Sequence, residues 1–170
     1  MSSALKLVAE GSRSAESLAD HLQIFVFGQF RKVLVKYDDP IYSRIDRDQY
    51  VFVADGLRPE HFPVRGKGQT EVTHQYLKYD HEPTTEEVLS TVEGRSDIRL
   101  PDFAETMAYH KANPEERMKA PVISLCGTVE SGDGERGVAY VLASGLGLNL
   151  DWDWVSLRWD QRCRFLVVCK

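Results

Sequence analysis

Apolar residues at 18, 22, 25, 26, 30, 33 and 37 recur at spacings of three and four, the stripe of a helix buried along one side. The spacing predicts a helix over 18–37, with Ser14 placed to cap its start and Asp38-Asp39-Pro40 to stop it. Gly28 interrupts that stripe, and the run Ile24-Phe25-Val26-Phe27 and the alternation Val33/Val35/Tyr37 fit strands; the helix is the preferred reading. Before it, residues 1–13 read as a loosely ordered leader.

Tyr50 to Ala54 is dense in β-formers and ends at Asp55-Gly56, so it predicts a strand closed by a turn. Residues 56–70 hold two prolines and three glycines and read as a long loop, a length that is often functional or mobile. Residues 71–79 alternate as another strand. Thr84 or Thr85 before Glu86-Glu87 is a capping arrangement for a helix that Gly94 ends, and Leu100-Pro101-Asp102 opens a second one. Asn113-Pro114-Glu115-Glu116 begins a short third helix, and Pro121 returns the chain to extended structure.

The last third reads as a compact antiparallel sheet. Its strands are Val122–Cys126, Val138–Ala143, one long or two short strands within Leu148–Trp159, and Cys163–Val168, with turns at 132–135, 144–147 and 160–161. The expected fold is therefore a single α+β domain over 1–170, with two or three helices packed on a mainly antiparallel sheet whose largest part is C-terminal.

Composition adds bounds. A chain of 170 residues can bury a core without a metal or disulfide. Its net charge of −5 argues against a general phosphate-backbone binder, so nucleic acid is not the expected partner. Three cysteines without a CxxC pair imply free thiols in a reducing compartment. The first residues lack the apolar run of a signal peptide, and no stretch has the length of a membrane span, so the expected setting is cytoplasmic and away from membranes.

Three sets of residues carry candidate chemistry. All three tryptophans lie within eight residues, and strand alternation places Trp152, Trp154 and Arg158 on one face and Val155, Leu157 and Trp159 on the other. Core packing accounts for the second set; paired aromatics beside an arginine suit a surface that binds a protein. Cys126 ends a strand before Gly127, where a nucleophile could sit if a histidine such as His110 or His74 served as base. A buried structural thiol is the plainer account, since cysteine is among the most buried residue types. The loop cations Arg58, Arg65 and Lys67 could hold a phosphate, but Gly68 follows Lys67 where a phosphate loop needs Ser or Thr.

Metal and cofactor sites have no motif in this chain. Cys163 and Cys169 lie six apart, about 20 Å along a strand at roughly 3.3 Å per residue. Of the acidic pairs, only Asp151/Asp153 is unusual, because strands disfavour aspartate. With no catalytic constellation visible, the expected function is non-enzymatic: a soluble accessory or inhibitor protein that binds a protein partner. The alternatives are a Cys126 enzyme and a phosphate or nucleic-acid binder.

Overall fold

The computed structural model describes residues 30–40, 49–130 and 136–170. The leader 1–13, the predicted helix before residue 30 and the turn at 132–135 lie outside the described residues. In chain order the elements are β1 (Arg31–Lys36), β2 (Phe52–Val53), a 3-10 turn (Pro59–His61), β3 (Gln69–Leu77), α1 (Thr85–Glu93), β4 (Ile98–Arg99), α2 (Phe103–Ala112) and α3 (Glu116–Lys119). Then come β5 (Val122–Glu130), β6 (Arg136–Ser144), β7 (Gly147–Trp154) and β8 (Arg164–Cys169).

The strands form one 8-stranded sheet in the order β1-β3-β8-β5-β6-β7-β2, with β4 alongside β8. The expectation of helices on a mainly antiparallel, C-terminal sheet is overturned. The fold is mostly sheet, the sheet is mixed, and the three helices described are short. β8 pairs parallel with β5 and antiparallel with β3, and β2 pairs parallel with β7. The C-terminal strands are the largest part of the sheet, but they close only by inserting β8 beside a strand from the first half of the chain.

The helix expected up to residue 37 is corrected as well. Arg31–Lys36 is a strand paired antiparallel with β3, Val33 opposite Val72. Its burial alternates, with Val33 and Val35 inside and Lys32, Leu34 and Lys36 outside. The period-two signal overrode the helical one, because β-branched residues at every second position suit a half-buried pleated surface.

Each face of the sheet has its own core. Under α1, Val88 and Val92 meet Leu77, Ile123, Phe165 and Val167. Under α2, Ala104, Ala108 and Tyr109 meet Val33, Val72, Leu166 and Val168. Removing one large apolar side chain from water contributes roughly 1.5–3 kcal/mol. The two longer of these helices start where local chemistry dictates. The Thr84 side chain accepts from Glu87 N, and Asp102 and Glu105 form a reciprocal capping box.

The 56–70 stretch is a packed connection. Phe62 is buried, with its ring 4.9 Å from that of Phe103. Arg65 N donates to Asp102 Oδ2 at 2.8 Å, and Gly68 N to Asp38 Oδ2 at 2.9 Å. β5 is bulged between Leu125 and Gly127, and a Cβ at Gly127 would lie 1.8 Å from the His61 carbonyl oxygen. Only glycine allows this connection to seat against the sheet.

Candidate functional site

β7 carries Trp152 and Trp154 on the same face, paired with Ala139 and Gly137 of β6. Their rings meet edge to face, centroids 5.2 Å apart. Trp152 packs half-buried against the cluster around Leu150, Val141 and Phe62. A Cβ at Gly137 would lie 3.0 Å from the Trp152 ring, so that glycine makes room for the indole. Trp154 is 37% exposed. Arg158 does not continue this face. β7 ends at Trp154, Leu157 N turns back to Trp154 O, and Arg158 is carried across to bridge Thr84 and donate to Glu82 O.

The aspartates of β7 have a structural explanation. Leu148 and Leu150 give their carbonyls to Val51 N and Ala54 N, so even-numbered residues of β7 point their backbone polar groups toward the outer edge. β2 pairs only as far as Leu150. Beyond it, Trp152 N donates to Asp151 Oδ1 at 2.8 Å and Trp154 N to Asp153 Oδ1 at 2.7 Å. The two carboxylates occupy the donors that another strand would use, which keeps an edge from pairing indiscriminately.

The same edge collects apolar side chains that sequence reasoning passed over. Val51 is 65% exposed, Phe52 50% and Leu146 86%. A Cβ at Gly147 would lie 2.4 Å from Val51 Cγ2, and one at Gly145 would lie 3.9 Å from the exposed Met118. Val51, Leu146 and Met118 therefore gather around the β6–β7 turn, with Phe52 beside them on β2. One signal was available: a leucine flanked by glycines in a turn, Gly145-Leu146-Gly147, has no core to enter.

Cys126 and His110 are placed against thiolate chemistry. Cys126 is buried in the cluster with Phe103 and Ala139, and burial pushes its thiol up to about 12. His110, on α2, lies 3.5 Å through Nε2 from Ser124 Oγ, and burial together with nearby Arg117 pushes its imidazole down to about 3. His74 is fully buried with its ring 5.0 Å from Tyr109, and burial pushes it down to about 4. A protonated thiol and neutral imidazoles do not make the ion pair a cysteine nucleophile needs.

The loop cations Arg58, Arg65 and Lys67 are exposed, on either side of buried Phe62. Arg58 sits at the 3-10 turn, its N–H donating to His61 Nδ1, while Arg65 is tethered to the start of α2 by Asp102. Cys163 and Cys169 are free thiols. Among the described residues, no group of three or more His, Cys, Asp or Glu could hold a metal ion, and no helix is long and apolar enough to cross a membrane. No protein-family model, curated protein or solved structure matches this chain.

Proposed function

We propose that this chain is a non-enzymatic protein that binds a protein partner through the β2–β7 edge of its sheet. One observation carries the reading: the edge exposes Val51, Phe52 and Leu146 at one end, 50% to 86% exposed, and Trp154 at the other, 37% exposed. Large apolar side chains clustered in water mark interaction surfaces, and tryptophan is prominent among residues that dominate binding energy. The Asp151 and Asp153 caps support a particular mode. With the Trp152 and Trp154 N–H groups occupied, the partner docks on side chains and does not add a strand.

The test is affinity capture from the native lysate, then titration with the purified partner, using folded Phe52→Asp/Leu146→Asp and Trp154→Ala variants. Leu34→Asp is the control, since Leu34 is 57% exposed on β1 at the opposite end of the sheet. Loss of a hot-spot contact of about 2 kcal/mol weakens binding about 30-fold. The edge variants are expected to lose the partner and Leu34→Asp to keep it. The reading is overturned if no partner is captured, or if the edge variants bind as tightly as the wild type.

A further inference from the structure

Independently of the sheet edge, α2 walls a cavity of about 460 Å³ that opens between it and β7. The volume falls within the range of small-molecule sites. Phe103, Met107, His110 and Lys111 enter it from one stripe of α2, at successive helical spacings of four, three and one, while the opposite stripe packs on the sheet. Leu148 contributes from β7 and Arg117 from α3. The site divides by chemistry. Phe103, Met107 and Leu148 form an apolar wall, and the Tyr50 hydroxyl is turned to Met107 Sδ at 3.7 Å.

Among the described lining residues, Lys111 and Arg117 are the two cations. Neither has a carboxylate partner among the described residues, whereas Arg31, Arg99 and Arg164 are each paired with a buried glutamate. Asp39 is the one acidic residue on the lining among the described residues, so the described lining carries two cations and one acid in a chain whose net charge is −5. His110, only 4% exposed, is held through Nε2 toward Ser124 and lines the site between Met107 and Lys111 in sequence. An apolar wall and two cations together are the features that orient an amphipathic anion.

We propose that this cavity binds a small organic anion, its apolar body held by Phe103, Met107 and Leu148 and its acidic group by Lys111 and Arg117. Anilinonaphthalene sulfonate serves as the anionic probe and phenylnaphthylamine as its uncharged counterpart, both followed by fluorescence on the whole chain. A charge-assisted hydrogen bond sets the scale, so Lys111→Gln and Arg117→Gln should each weaken the sulfonate probe about tenfold and leave the neutral probe nearly unchanged. Met107→Trp, which fills the cavity, should exclude both. Phe52→Asp/Leu146→Asp should leave both affinities intact, which separates this site from the sheet edge. Lys111 is exposed, so its variant tests the site without endangering the fold. The proposal fails if the sulfonate probe does not bind at one site per chain, if both glutamine variants bind it as tightly as the wild type, or if only the edge variant loses it.

Discussion

The two faces of the sheet are held by different physics. Under α1 the core is almost wholly apolar, built from Leu77, Ile98, Leu125, Phe165 and their neighbours. Among the described residues, nine of the ten buried polar or charged side chains lie on the α2 side, including His74, Glu105, His110, Glu116 and Arg164; Thr85 alone belongs to the α1 side. The first face is stabilised by area removed from water and by shape. The second depends on matched partners, because a buried charge that loses its counterpart costs far more than the pair contributes. Tolerance to substitution therefore differs between the faces. The α1 face should respond to lost volume and the α2 face to lost partners and to pH.

The largest break is expected at Glu116. Its carboxylate accepts from Arg31 at 3.0 Å, Arg164 at 3.0 Å and Lys119 at 2.6 Å, and Arg164 also donates to the Glu116 and Ala120 carbonyls and lies over the Tyr76 ring. Burial works to raise this carboxyl, but the hydrogen bonds from Lys119 and Arg164 hold it below its ordinary value. Glu116→Ala strands the buried Arg164 and should cost about 4 kcal/mol in urea unfolding. The double variant Glu116→Ala/Arg164→Met should recover most of that loss; no recovery would show that volume, not charge pairing, governs this side too. On the apolar face, Leu125→Ala should cost about 3 kcal/mol, and the loss should be the same at pH 5 and pH 7.

Lowering pH should sharpen the contrast further. His74 and His110 are held neutral by burial, at about 4 and about 3, below the ordinary value of 6.5. Between pH 6.5 and their folded values the unfolded chain takes up protons that the folded chain refuses. Stability is therefore full above pH 6.5 and declines as pH falls toward 4 and then 3. From pH 7 to pH 5 each histidine should remove about 2 kcal/mol, at 1.36 kcal/mol per unit. His74→Leu should lose about half of that slope, and an unchanged slope would place the pH sensitivity elsewhere. His81 acts in the opposite sense at the surface. Hydrogen bonds to Asp80 and Glu87 raise it, so its small contribution is present below its ordinary value and fades as pH rises.

Much of this division was invisible in the sequence for a definable reason. Local chemistry was legible: Thr84 and Asp102 cap within three residues of themselves, Gly94 ends α1, and Val138–Ala143 is a continuous apolar run of strand length. Partners far along the chain were not. The placement of β8 between β3 and β5 joins residues about 90 positions apart, as in His74 opposite Val168. Glu116 looked like a helix-start acid and proved to be the hub of three cations. The Trp152/Trp154 pairing was read correctly from alternation, but Arg158 was not, because alternation ends where β7 does. Asp151 and Asp153 are unusual residues for a strand, yet their reason is an edge, and an edge exists only once strand order is known.

The smallest effect is expected at the start of α1, where the apolar face makes one of its few polar contacts. Thr84 Oγ1 accepts from Glu87 N at 3.2 Å, while Thr85 N and Glu86 N are already satisfied by the carbonyls of Leu157 and Val155 at 2.9 Å. Thr84→Ala therefore leaves a single first-turn N–H without a partner, and that N–H can reach water. The loss should be about 1 kcal/mol, independent of pH between 5 and 7, and largely restored by Thr84→Ser. If the loss instead exceeded about 2 kcal/mol and grew as pH fell, the helix start would be coupled to His81 through Glu87, whose Oε1 lies 2.9 Å from His81 Nε2. The α1 side would then share the charge dependence of the α2 side, and the contrast between the two faces would collapse to a difference of degree.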